Sequence, residues 1–273
     1  MTRASPTSAR IDVNGISVAY TERGNGLLLL LLHGGLVSGA LWEPVASRLA
    51  REFRVITPDS RGHGHSTNSG ETLSYGLLAD DVAALTRALG LERPYIAGWS
   101  DGGQVALELA VRHPETARAL IIGGAYPDFV SSGLRAEHRN LIENLDAELG
   151  DEAEEIRALH ADWRRLVEQS AAMWLNYEGI SDADISNINA PVLVLAADHD
   201  ELVSLDLSIA LYNNLPAAEL AVCPGAGHES PMSAERAEVF AALIADFCRR
   251  CAGLGAPGGA DSSHPPAIHQ RSG

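Results

Sequence analysis

The chain has 273 residues, 46% of them apolar, and a formal charge of −16. That length and apolar content allow a buried core of ordinary single-domain size and exclude a largely disordered protein. The negative field repels phosphate backbones and anionic lipid, so nucleic-acid and membrane partners are not expected; a cationic small molecule is mildly favoured, although solubility alone explains the same excess.

The first residues, MTRASPTSAR, lack the apolar core of a signal peptide, so a cytoplasmic location is expected, with residues 1–10 disordered. Ile11 to Tyr20 alternates around Asn14-Gly15, which predicts two strands joined by a tight turn. The run LLLLLL, Leu27 to Leu32, is too short to span a bilayer and reads as a strand covered on both faces. Leu41 to Arg51 has helical spacing, FRVITPD is a buried strand, and Leu73 to Leu89 is a helix. RPYIAGW is a strand and GGQVALELAVRHP a helix stopped by Pro114. RALIIGGA, APVLVLAAD and AELAVCPGAG are further strands, and Ser233 to Arg250 is a closing helix. Strands alternating with helices predict an α/β fold, a mostly parallel sheet with helices on both faces.

One interval interrupts that alternation. Residues 128–184 hold acidic, helix-like stretches and no convincing strand, which predicts an inserted helical cap. The core then comprises 11–127 and 185–252, and residues 253–273, rich in Gly, Pro and Ser, are expected to be a disordered tail. Cys248 and Cys251 have C-x-x-C spacing but no second pair or nearby His, so no metal is expected, and nothing calls for a cofactor. Three cysteines in so long a chain form no disulfide framework. Oligomeric state is not legible.

The chemistry gathers around AGWSDGG, residues 97–103. A serine hydroxyl is a weak nucleophile at neutral pH and needs an exposed position, a base, and donors for the oxyanion it creates. A sharp strand-to-helix turn exposes Ser100, and Gly98 and Gly102 relieve the crowding such a turn causes. The helix that follows presents free N–H groups and the positive end of its dipole. His228, in PGAGHESP, lies in a loop between the last strand and last helix, from which an imidazole can reach back to the turn. Asp198 and Asp200, in LVLAADHDELV, both lie where a carboxylate can hold that imidazole.

With LLHGG, DSRGHGHS, GWSDGG, AADHDELV and GAGHES in this order, the chain resembles the α/β-hydrolases over residues 11–250. The resemblance implies a Ser100–Asp200–His228 triad, Asp200 being found by counting on from Ala197, which replaces the family's usual glycine. It implies an oxyanion hole made by the N–H groups of Gly35, or else Leu36, and of Asp101. GWSDGG also resembles amino-acid ester hydrolases of the valacyclovir hydrolase type, in which the acidic residue after the nucleophile binds the substrate's ammonium. That implies a substrate-binding role for Asp101, although an Asp at a helix N-terminus is favourable for the dipole alone. Leu36, Trp99, Trp163 and Trp174 are further candidate substrate contacts, the tryptophans serving either as pocket wall or as packing. The expected activity is hydrolysis of a small-molecule carboxylic ester through an acyl-enzyme, with amine-bearing esters favoured. Transfer of the acyl group to another acceptor, cleavage of amide, lactone or carbon–carbon bonds on the same triad, and a non-catalytic ligand-binding member are the alternatives.

Overall fold

The computed structural model describes residues 6–229 and 233–254. Thr7–Val13 (β1) and Ile16–Arg23 (β2) pair antiparallel around Asn14 and Gly15, whose φ values of 46° and 74° suit a two-residue turn. Residues 7–10, expected to be disordered, are instead ordered. Their backbone groups find partners across the ladder, Thr7 facing Glu22 and Arg10 facing Ala19. Their polar composition hides this because one face of the strand is exposed. Gly253 and Leu254, expected to begin a disordered tail, instead donate to Arg250 O at 3.0 Å and Arg249 O at 2.9 Å, and the terminal segments 1–5 and 255–273 lie outside the described residues.

The chain continues with Leu27–Leu32 (β3), Glu43–Leu49 (α1), Phe53–Pro58 (β4), Tyr75–Ala88 (α2), Tyr95–Trp99 (β5), Asp101–Arg112 (α3) and Ala119–Gly123 (β6). Five helices follow: Leu134–Glu143 (α4), Leu145–Leu149 (α5), Ala153–Ala158 (α6), Trp163–Asn176 (α7) and Asp182–Ser186 (α8). Val192–Ala197 (β7), Leu205–Asn214 (α9), Ala218–Cys223 (β8) and Ala237–Cys251 (α10) complete the described chain. The strands form one sheet in the order β1-β2-β4-β3-β5-β6-β7-β8. The β1–β2 and β2–β4 pairs are antiparallel; the rest are parallel.

The six consecutive leucines are explained by two covered faces. Leu29 and Leu31 join a core with Val45 and Leu49 of α1 and Phe240 and Ile244 of α10. Leu30 and Leu32 join another with Leu78 and Val82 of α2 and Val105 and Leu109 of α3. A period-2 strand buried on both sides has no place for a polar residue. The helix α9 was not expected. Its start is marked by Ser204, whose side chain accepts from Leu207 N–H, and Leu211 anchors it in the core.

Candidate active site

Strand β5 runs straight into helix α3, and the turn is made at one residue. Ser100 has φ 56° and ψ −123°, a region costing on the order of 1–3 kcal/mol for a side-chain-bearing residue. Backbone bonds hold it there: Ser100 N–H donates to Gly123 O at 2.9 Å, and Ser100 O accepts from Gln104 N–H at 3.0 Å. The flanking glycines are steric requirements. A Cβ on Gly98 would lie 2.1 Å from Gly102 O, and one on Gly102 would lie 2.1 Å from Leu32 O. The turn after β3 passes beside the serine, since a Cβ on Gly34 would lie 3.3 Å from Ser100 Cβ.

Ser100 and His228 line the same small cavity, about 280 Å³ including its mouth. His228 comes from the loop after β8 and is 4% exposed. Its Nδ1 lies 2.9 Å from each carboxylate oxygen of Asp200. An ionised carboxylate only accepts, so Nδ1 carries the hydrogen and Nε2 is left as an acceptor. Asp200 Oδ1 also accepts from the N–H groups of Leu202 and Val203, at 2.9 and 2.8 Å, which fixes the carboxylate's orientation. Asp198 faces elsewhere, accepting from Ala226 N–H at 3.2 Å. Burial disfavours a charged His228, but the hydrogen bond and charge of Asp200, with Glu229 and Glu201, outweigh it and raise the imidazole above its ordinary value. Such a histidine is poised to receive a proton.

Asp101, the first residue of α3, also lines the cavity and is 7% exposed. Its Oδ1 accepts from Tyr75 OH at 2.6 Å and from Trp174 Nε1 at 3.0 Å, and Oδ2 also lies 3.0 Å from Trp174 Nε1. Burial and the neighbouring Asp101 charge push Tyr75 well above the ordinary phenol value, so it stays a donor. Among the described residues Asp101 has no ion-pair partner. Trp174 is therefore a ligand of that carboxylate, and a Cβ on Gly35 would meet both, 2.6 Å from Asp101 Oδ2 and 2.6 Å from Trp174 Cζ2. Trp99 stands away from the cavity wall; it packs under the sheet against Phe240, and its Nε1 donates to His228 O at 2.9 Å. Trp163 packs beside His160, ring centroids 5.4 Å apart. Leu36 is buried with φ 58°, and its carbonyl accepts from His160 Nε2 at 2.9 Å. Most of the cavity lining escaped the sequence reading, Gln104 and His138 among it. Gln104 had a signal, standing one helical turn after Ser100; His138 had none.

A family model described as the alpha/beta hydrolase family matches residues 29–243. The chain belongs to the alpha/beta hydrolase family. A 2-hydroxymuconate semialdehyde hydrolase from Pseudomonas sp. strain CF600 is 29% identical over 269 residues, covering 89% of this chain and 94% of its own. A pimeloyl-[acyl-carrier protein] methyl ester esterase from Aeromonas hydrophila is 39% identical over 118 residues, 42% of this chain and 44% of its own. Among solved structures, a thermophilic esterase from Thermogutta terrifontis superposes with a TM-score of 0.74 at 25% identity, covering 91% of this chain and 99% of that one.

In this alpha/beta hydrolase the loops behind the turn are held by neutral imidazoles. His33 donates from Nδ1 to Gly34 O at 2.7 Å and accepts at Nε2 from Ser60 N–H at 2.9 Å. His160 accepts at Nδ1 from Gly64 N–H at 2.9 Å, which leaves its Nε2 hydrogen for Leu36. Burial holds His33 and His160 below the ordinary imidazole value, and His63, beside them, well below it. Their unfolded forms take protons as pH falls through about 6.5, while the folded forms resist, so stability is lost in that direction. His228 acts oppositely, adding stability at low pH that is lost as pH rises through its raised value. With His138, which burial also holds below the ordinary value, the balance is four against one, and the expected result is a lower urea midpoint at pH 5.5 than at pH 7.5; a midpoint that rises on acidification would contradict the neutral-histidine assignment.

Proposed function

We propose that this hydrolase cleaves small carboxylic esters through an acyl-enzyme on Ser100. Ser100 Oγ attacks the ester carbonyl while His228 Nε2 takes the hydroxyl proton. The N–H groups of Gly35 and Asp101 receive the oxyanion. The tetrahedral intermediate collapses, the imidazolium gives its proton to the departing alkoxide oxygen, and the alcohol leaves. Water repeats the sequence in the second half, releasing the acid and restoring Ser100. Asp200 keeps His228 in the accepting tautomer and stabilises the imidazolium.

The observation that carries this reading is the shared cavity of Ser100 and His228, with His228 Nδ1 bonded to Asp200. The esterases among its relatives support the choice of bond. Residues 128–184 act in this reading as a cap over the cavity, contributing Phe129, Leu134 and His138 to its lining. Amine-bearing esters are favoured substrates. A buried carboxylate without an ion pair, as at Asp101, gains from a substrate cation placed beside it. Among the described residues no helix is long and apolar enough to cross a membrane, and Cys223, Cys248 and Cys251 are free thiols, which fits a proposed cytoplasmic location.

The test is a fluorophosphonate probe followed by peptide mapping, with a panel of esters, amides, lactones and 2-hydroxymuconate semialdehyde assayed in parallel. The adduct is expected on Ser100 and the highest kcat/KM on an ester. A second reading keeps the acyl-enzyme and changes the bond. It is favoured by the Pseudomonas relative that aligns over 94% of its own length. Faster turnover of the semialdehyde than of any ester would select it.

A further inference from the structure

Three of the side chains around the cavity have fixed hydrogen-bonding roles. Tyr177 OH lies 2.8 Å from Glu108 Oε1, and a carboxylate can only accept, so the phenol donates there. Its oxygen then accepts from Gln104 Nε2 at 2.7 Å. Gln104 is thereby held one way round, with Nε2 committed to Tyr177. Its Oε1 is buried and has no partner, although Gln104 is only 1% exposed and lines the cavity next to Ser100. An orphaned buried amide oxygen costs free energy until something donates to it.

A second acceptor is built the same way. His138 Nδ1 lies 2.7 Å from Leu134 O and must carry the hydrogen. Burial pushes this imidazole below its ordinary value, opposed by the Asp101 charge and the Leu134 bond, so the ring is neutral and Nε2 holds a lone pair. The ring is clamped, stacked on Phe129 at 5.0 Å and tilted against Trp174 at 5.0 Å. Among the described residues Nε2 makes no hydrogen bond, yet His138 lines the cavity with Ser100 and His228.

We propose that Gln104 Oε1 and His138 Nε2 are specificity-determining acceptors that bind a hydrogen-bond donor, an O–H or N–H group, carried by the substrate near its scissile carbonyl. The inference rests on the Ser100 cavity being the substrate site. It goes beyond the charge preference assigned to Asp101, because a neutral hydroxyl, sharing its one hydrogen between the two acceptors, gains there without carrying a charge. The pair is also a means of rejection. A substrate with plain methylene there leaves both acceptors dry and unpaired, and sites built to bind a hydroxyl discriminate strongly for this reason.

The test uses a matched series of esters with one leaving group: 2-hydroxyacyl, 2-aminoacyl and unsubstituted acyl chains of equal length. The parent protein should prefer the hydroxyacyl over the unsubstituted ester by on the order of a hundredfold in kcat/KM. In His138→Phe, which keeps a ring between Phe129 and Trp174, and in Gln104→Met, that ratio should fall by about tenfold each. A ratio unaffected by either change overturns the inference. Selectivity confined to the 2-aminoacyl ester and indifferent to both changes assigns discrimination to Asp101 and also overturns it. A binding arm separates this from failure of the ester reading: Ser100→Ala protein, titrated calorimetrically with the 2-hydroxy acid and its unsubstituted counterpart. Tighter binding of the hydroxy acid, lost on adding His138→Phe, supports the acceptor pair whichever bond is cut. Equal affinity, or no binding of either acid, refutes it.

Discussion

Ser100→Ala should fold as the parent does and lose ester turnover by about a millionfold, the scale seen when a triad nucleophile is removed. The two parts of that expectation rest on different atoms. The turn is held by main-chain bonds, Ser100 N–H to Gly123 O and Gln104 N–H to Ser100 O. The Cβ that meets the positive φ is present in both residues, so the strain is unchanged. Nothing structural is asked of the hydroxyl, and its removal deletes only the attacking oxygen. Steady-state kinetics on the best ester, with a thermal melt as the folding control, decides the matter. Turnover within tenfold of the parent would show that the reaction does not pass through Ser100.

The next largest loss is expected from Asp200→Asn, about ten-thousandfold in kcat. Asp200 Oδ1 accepts two main-chain N–H groups, from Leu202 and Val203. Asparagine would keep its carbonyl oxygen in that place and turn its NH2 group toward His228 Nδ1. The imidazole would answer by accepting at Nδ1 and carrying its hydrogen on Nε2, the tautomer that cannot take a proton from serine. Asp198→Asn is the matched control. Its oxygen accepts from Ala226 N–H, a bond asparagine also makes, so turnover should stay close to the parent. The reverse pattern, with Asp198 sensitive and Asp200 tolerant, would move the orienting acid two residues back.

Much of the fold was legible because periodicity carries it. Six consecutive leucines announce a strand with two covered faces, and Asn14-Gly15 announces a turn with two positive φ values. The glycines around Ser100 were legible for a steric reason the structure puts at 2.1 Å. Helix α9 was missed because its cap residue, Ser204, follows directly on a loop with no glycine or proline to punctuate it. The candidate site was legible only as far as residues whose role follows from local sequence. That Trp99 supports the His228 carbonyl, while Trp174 reaches Asp101 from another helix, depends on pairings 129 and 73 residues apart. The free acceptor of Gln104 was invisible for the same reason, and that of His138 because a local bond to Leu134 O does not tell which groups face the other ring nitrogen. The orientation of Gln104 is dictated by Tyr177 and Glu108, and no spacing rule encodes that chain of donors and acceptors.

His160 stands between α6 and α7 and holds two catalytic-side loops at once, Gly64 through Nδ1 and Leu36 through Nε2. A leucine at φ 58° rests in a conformation it would leave if released. The imidazole is thus a keystone: raise it, and the bend that carries Gly35 slackens. Were α4 to swing aside the keystone would stay seated, whereas lifting the start of α7 would unseat it and loosen the amide proposed here to receive the developing negative charge.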